Sequence, residues 1–225
     1  MVPSENGRIK IERAAFLARR FSESAHLLEL FIQITLLQEE IATGLSMAGI
    51  FARLRALNLP EPLSSFPLTP DLLEAEEPST PEARFFWRIL KQPHAERDRK
   101  PAPETYSGTC PSCGAKPVAG VLRGEGDGAK RSLVCSMCAQ EWLYRRLICP
   151  NCGEEDREKL PVYKAEQIDH VRVEACDTCH TYIKSVDLTK DGFAVPQVDE
   201  IATLALNVWA DEHGYAKVET NLLGM

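Results

Sequence analysis

Between residues 8 and 22, apolar positions at Ile11, Ala14, Ala15, Ala18 and Phe21 recur at helical intervals. Arg13, Arg19 and Arg20 fall between them, the pattern of a surface helix. Ser22 and Ser24 break it. From Ser24 to Gly44 the chain is apolar almost all round: Leu27, Leu30, Phe31, Ile34, Leu37 and Ile41 form a stripe that Leu28, Ile32 and Leu36 widen, and only Glu29, Gln33 and Glu40 mark a polar edge. Such a helix belongs at the centre of a bundle, with Gly44 as its C-terminal stop. A short helix follows at Met47–Leu57. Pro60, Pro62, Pro67, Pro70, Pro78 and Pro81 then exclude one regular element, because each removes a donor and restricts its neighbour, and leave room only for a helical turn at Asp71–Glu76. Thr80-Pro81-Glu82 starts the next helix, with Thr80 as cap, which runs through Phe85, Phe86, Ile89 and Leu90 to Lys91. His94 to Glu104 is charged and proline-containing and reads as a linker.

After the linker the apolar period shortens to that of strands. Lys116–Leu122 and Arg131–Cys135 flank a loop of sequence Gly124-Glu125-Gly126-Asp127-Gly128, and Trp142–Leu147 makes a third strand. Leu160–Lys164, His170–Ala175 and Thr181–Val186 repeat the arrangement. Asp199–His213, with Ile201, Leu204, Ala205 and Val208 on one face and Gly214 at its end, reads as a C-terminal amphipathic helix.

All eight cysteines lie in this strand-forming part, as four Cys-x-x-Cys pairs: Cys110/Cys113, Cys135/Cys138, Cys149/Cys152 and Cys176/Cys179. The offsets between the first and third pairs and between the second and fourth are nearly equal, so the segment reads as one unit duplicated. Cys-Pro-Ser-Cys-Gly and Cys-Pro-Asn-Cys-Gly are knuckle sequences in which proline presets a turn and glycine closes it. Sequential pairing gives two sites, Cys110, Cys113, Cys135 and Cys138 in one, and Cys149, Cys152, Cys176 and Cys179 in the other. The gaps within each unit slightly exceed the usual zinc spacing of about 15–20 residues, which a hairpin with a longer loop accommodates. A rival pairing joins the two middle pairs and breaks the repeat. Four thiolates suit Zn²⁺ or a single iron and leave no position open for substrate, which points to structure or electron transfer. Four disulfides and a thioredoxin-like redox site are the weaker readings, the first for want of a signal peptide, the second because it uses one pair, not four. His170, His180 and His213 are read as ordinary side chains, since eight thiolates already fill two sites.

With 225 residues, 44% of them hydrophobic, the chain is long enough for two domains. Its net charge of −7, with the cysteine-bearing half the more acidic, argues against a nucleic-acid binder. The basic run Arg97-Asp98-Arg99-Lys100 is read as solvated. No apolar run approaches the ~20 residues of a membrane span, so no membrane insertion is expected, and the cytoplasm is the expected compartment.

The string Cys110-Pro-Ser-Cys113-Gly-Ala-Lys-Pro117-Val118, with Leu133-Val-Cys135-Ser-Met-Cys138-Ala-Gln-Glu141-Trp142, Cys149-Pro-Asn-Cys152-Gly and Glu174-Ala-Cys176-Asp-Thr-Cys179-His-Thr-Tyr182-Ile-Lys184, resembles the formate dehydrogenase accessory proteins of the FdhE type. The resemblance continues through Asp199-Glu-Ile-Ala-Thr-Leu-Ala-Leu and Glu212-His-Gly214-Tyr215, and so covers about residues 106–225. It implies a helical N-terminal domain followed by two rubredoxin-like ribbons holding iron or zinc. It also implies a non-enzymatic cytoplasmic chaperone that binds the catalytic subunit of a respiratory, molybdopterin-containing formate dehydrogenase during maturation. Two departures stand out. The helical part is about half the length the family implies, and His180 stands where the family usually has glycine in a turn that favours positive φ.

The expected fold is therefore α+β: a small N-terminal helical bundle (1–105), two tandem rubredoxin-like or zinc-ribbon modules (106–148 and 149–190), and a C-terminal helix and tail (191–225). An electron carrier of rubredoxin type is the alternative function, and a nucleic-acid-binding zinc ribbon a weaker one. A partner surface is expected at a seam between bundle and ribbons, lined by Trp142 and Trp209 and rimmed by Arg145 and Arg146. Removing metal is expected to unfold the ribbons and spare the helices.

Overall fold

The computed structural model describes residues 3–101, 106–126 and 128–225. The expected domain border at 105/106, the end of the linker up to Glu104 and the loop residue Asp127 lie outside the described residues.

Helix α1 (Glu5–Arg20) is capped by the Ser4 hydroxyl, which accepts from the Gly7 N–H. A 3-10 turn at Ser22–Ser24 leads into α2 (Ala25–Ala42), which lies antiparallel to α1 and buries Leu28, Phe31, Ile34, Leu37 and Ile41. Its polar edge is wider than the sequence suggests, for Leu36 is exposed and Leu27, Leu30 and Ile32 only half-buried. Helices α3 (Met47–Arg55) and α4 (Asp71–Glu74) are short. Helix α5 (Pro81–Arg97) continues past Lys91 through Pro93, into the stretch expected to be linker. Proline cannot donate to the carbonyl four residues back, but Gln38 of α2 supplies that donor: its Nε2 reaches the Ile89 oxygen at 3.4 Å and the Gln92 side chain at 3.0 Å. Gln92 in turn donates to Ser136 O at 2.7 Å, joining α5 to the first cysteine unit.

The strands β1 (Pro117–Glu125), β2 (Gly128–Cys135), β3 (Glu141–Leu143), β4 (Val162–Ala165), β5 (Ile168–Cys176) and β6 (Thr181–Asp187) form one sheet in the order β3-β2-β1-β6-β5-β4, and β7 (Ala216–Lys217) pairs with β6. The two duplicated units thus share a sheet. Their junction is the parallel pair β1/β6, in register from Ala119↔Lys184 to Leu122↔Asp187. Gly120 faces Ser185 there, and a Cβ at Gly120 would stand 2.2 Å from the Ser185 hydroxyl, so the junction requires glycine.

Alternation assigns the two faces. Val171, Val173 and Val186 point to the helices and join Leu17, Leu28, Phe31, Val198 and Ile201 in one core. The opposite face carries Leu133, Cys135, Trp142 and Ile183, a separate cluster around the first cysteine unit. The C-terminal helix is broken into α6 (Pro196–Ala202) and α7 (Leu204–Glu212) at Thr203. The cause is Lys184, fully buried, whose ammonium donates to the Thr203 carbonyl (3.2 Å) and hydroxyl (3.1 Å) and to Glu200 O.

Buried charges tie the helices to the sheet. Arg13 of α1 reaches Asp199 of α6 at 2.9 Å, and Asp199 meets His170 of β5 at 2.8 Å. Arg88 of α5 donates to Thr220 O and Glu219 at 2.7 Å each. Glu200 sits between Lys184 and Lys217. Burial pulls Lys184 down to about 8, an effect its attraction to Glu200 only partly offsets. For Glu200 burial acts upward, but the two lysines and Asn221 outweigh it and hold the carboxyl at about 2. The helices and the second cysteine unit thus share one core, so loss of the ribbons is expected to disturb the helices as well.

The lysine pair gives an asymmetric prediction. Replacing Glu200 with Leu leaves two ammonium groups without a counter-ion and is expected to cost about 3–5 kcal/mol, whereas Lys184→Met leaves Glu200 paired with Lys217 and should cost clearly less. Urea unfolding of the two variants measures the difference.

Candidate metal centres

The four knuckles are built alike. The N–H of the first cysteine donates to the carbonyl of the residue five positions on, Cys110 to Ala115 (2.8 Å), Cys135 to Gln140 (2.9 Å) and Cys149 to Glu154 (2.9 Å), while Cys176 is paired with Thr181 across the β5–β6 turn. That closure puts the residue after each second cysteine in the left-handed region: Gly114 at φ 78°, Ala139 at 54°, Gly153 at 78° and His180 at 51°. The strained histidine expected from the sequence is there. Within the turns, the N–H groups of Met137 and Cys138 point at Cys135 Sγ (3.3 and 3.4 Å), and that of Asn151 at Cys149 Sγ (3.4 Å).

The fold brings the cysteines together in sequential order. Cys110 and Cys138 sulfurs are 3.6 Å apart and those of Cys113 and Cys135 3.4 Å, while Cys149–Cys179 and Cys152–Cys176 are both 3.7 Å. Within each group of four, all sulfurs lie within 4.8 Å of one another. A disulfide would require about 2.05 Å. Four metal–sulfur bonds of about 2.3 Å in a tetrahedron place sulfurs roughly 3.8 Å apart, so both groups fit a tetrathiolate ion. Cys113 and Cys152 are exposed, Cys179 is half-buried, and the remaining five are buried.

The thiols already compete for protons. Hydrogen bonds from Cys135 and Cys138 hold Cys113 far below the ordinary thiol range, and Cys135 is pushed far up by the same sharing. Burial works against ionisation of Cys179, but the Thr181 hydroxyl, 3.1 Å from its sulfur, and Asn151 outweigh it and bring the thiol to about 6. A soft four-sulfur donor set fits zinc or iron.

The expected partner residues do not share one groove. Trp142 is buried in the first cysteine unit and donates its indole N–H to Ser107 O at 2.8 Å, within a cluster against which Trp87 and Ala95 of α5 also pack. Trp209 packs on Tyr163, ring centroids 4.4 Å apart, on the helix side of β4. Arg145 lies 3.6 Å from Glu155, and Arg146 lines a cavity on the other side of the sheet. Strand β4 separates Trp209 from Arg146, which sequence spacing alone could not reveal. His170, Asp191 and Asp199 also lie close enough to hold an ion, but the Arg13 guanidinium sits on both carboxylates, 2.6 Å from Asp191. Missing from the sequence reading are Arg131, Lys164, Arg172 and Glu174 around that cavity; their signal was the strand alternation, which sets them on one face.

Helices packed on a sheet whose two halves each carry a closed group of four cysteines define a double-ribbon protein of the four-cysteine class. Comparison gives the family. The model of the FdhE central domain matches residues 109–146 and that of the FdhE C-terminal domain residues 147–223, and the chain belongs to the FdhE family. The Protein FdhE homolog of Aquifex aeolicus is 37% identical over 146 residues, 63% of this chain and 52% of the relative. That of Pseudomonas aeruginosa is 38% identical over 130 residues, 53% of this chain and 41% of the relative. The chain therefore spans about half the length, or less, of the curated relatives it matches. The crystal structure of the FdhE protein from Pseudomonas aeruginosa shares the fold, with a TM-score of 0.76 at 22% identity over 98% of this chain and 96% of that one.

The knuckle geometry makes opposite predictions for two of the turn residues. At Gly114 a Cβ meets nothing within 4 Å, so Gly114→Ala should cost only the left-handed backbone penalty, about 1 kcal/mol. His180→Gly relieves the same penalty and should be neutral or stabilising by up to about 1 kcal/mol, the gain being reduced by the freedom glycine adds to the unfolded chain. Urea midpoints of the metal-loaded proteins decide both signs.

Proposed function

We propose that this protein is a formate dehydrogenase accessory protein, which binds the catalytic subunit of a respiratory formate dehydrogenase in the cytoplasm before that enzyme becomes active and catalyses no reaction itself. The observation that carries the reading is the pair of closed four-sulfur groups in a chain of the FdhE family. In this reading Cys110, Cys113, Cys135 and Cys138 hold one ion, and Cys149, Cys152, Cys176 and Cys179 a second. With four protein donors the ion supplies charge neutralisation and rigidity and offers no position to a substrate. No described helix is long and apolar enough to cross a membrane. The net charge of −7 favours a protein partner over nucleic acid.

One observation favours electron transfer as a second reading: each group presents one cysteine to solvent, Cys113 and Cys152, as a redox centre that passes electrons to a partner requires. The metal distinguishes the two. Protein carrying two zinc ions and no iron should restore formate dehydrogenase activity to cells lacking their own accessory protein. Restoration by iron-loaded protein alone favours the electron carrier, and restoration by neither contradicts the accessory role.

A further inference from the structure

We propose that the concavity beside β4 and β5, on the sheet face opposite α1, α2 and α6, binds an extended polypeptide segment in which an apolar residue is followed two positions later by Asp or Glu. The core that α1, α2 and α6 build covers one face of the sheet. On the other, Trp142 and Tyr144, with Trp87 and Ala95 of α5 packed against their cluster, close the half formed by the first cysteine unit, and the half formed by β4 and β5 is left as a cavity of about 350 Å³. Val162, Ile183 and Val218 give it an apolar floor, with Leu147 and Ile148 on the side toward β3.

Three features of the lining point to that ligand. The first is charge. Arg131, Arg146, Lys164 and Arg172, four cations, line the cavity against Glu174 and the sulfur group of which Cys149 and Cys176 are part, in a chain whose net charge is −7. Glu174 is already engaged by Arg131 and Arg172, at 2.6 Å each. Arg146 donates to a backbone oxygen, that of Ala129, and Lys164 has no carboxylate within ion-pair distance among the described residues. The second is spacing. Val162 and Lys164 stand two residues apart on one face of the edge strand, about 6.6 Å along it, which is also the repeat of same-side residues in an extended peptide. The third is Leu147, which turns the chain over the cavity at φ 57° with its side chain 42% exposed. A large apolar residue held in the left-handed region and still exposed is strained at a solvent-facing position, and such strain is found where a contact is made. The loop that bears it is pinned by Arg131, which donates to Arg145 O (3.2 Å) and Ile148 O (3.4 Å), so the rim is already set before a ligand arrives. A mainly aliphatic floor favours a peptide over nucleotide bases, which need aromatic faces to stack on.

This site stands on its own lining and does not depend on which protein the chain serves. Fluorescence anisotropy of metal-loaded protein with the labelled peptide Gly-Val-Ser-Asp-Ser-Val-Ser-Asp-Ser-Gly tests it. The peptide should bind about tenfold more tightly than its counterpart with Lys in place of both Asp, and the preference should shrink with salt. Arg146→Glu with Lys164→Glu, and separately Val162→Asp, should each weaken binding about tenfold with metal content unchanged, whereas Arg19→Glu on α1 should leave it unaltered. Should those variants lose their fold, amide shifts of the unmodified protein answer the same question: Leu147, Val162 and Lys164 should move on peptide addition. Equal affinity for the two peptides, tighter binding of an oligothymidylate of matching length, or shifts confined to other surfaces would overturn the proposal.

Discussion

Four sulfurs held within 4.8 Å of one another cannot all ionise without a cation among them, and this mutual repulsion is the constraint around which the ribbon half is arranged. Each knuckle answers it locally with backbone N–H groups aimed at sulfur and a left-handed residue that closes the turn. A hairpin of this size has little apolar surface of its own to bury and gains its stability from the ion and from neighbouring elements. The protein meets the shortage by joining the two units through the β1/β6 pair and laying the helices across one side of the product.

The consequence is mechanical coupling. The second cysteine unit contributes Val171, Val173 and Val186 to the core that also contains α1 and α2, and Asp199 links Arg13 of the first helix to His170 of β5. The first unit is attached through the β1/β6 pair, through Trp87 and Ala95 of α5 on its cluster, and through Gln92 on Ser136 O and Arg131 on Glu174. The second sulfur group is therefore linked to the helical core through β5 and β6, and the rim of the cavity is held by Arg131, itself paired with Glu174.

Much of this was legible in the sequence. Cys-x-x-Cys pairs at repeated offsets gave the two groups of four, the helical periods located α1, α2 and α5, and the glycine normally expected after Cys179 pointed to the strain at His180. What could not be read depended on partners remote in sequence. Pro93 reads as a helix end until Gln38 is seen to donate to the orphaned Ile89 carbonyl. The C-terminal helix reads as continuous until Lys184 is seen taking its carbonyls at Thr203. The placement of Trp142, Arg145, Arg146 and Trp209 was hidden for the same reason, since strand alternation assigns faces only once pairing is known, and β4 divides Trp209 from Arg146.

The central claim is that the sulfur groups and the helices form one cooperative body. Hydrogen exchange of the α2 amides, followed in metal-loaded protein and after chelation, tests it most directly, because α2 touches no cysteine yet shares its core with β5 and β6. The account predicts that Ile34 and Leu37 amides lose protection in step with those of Val171 and Val173 when metal is removed. Retained protection in α2 while the strands exchange freely would contradict it.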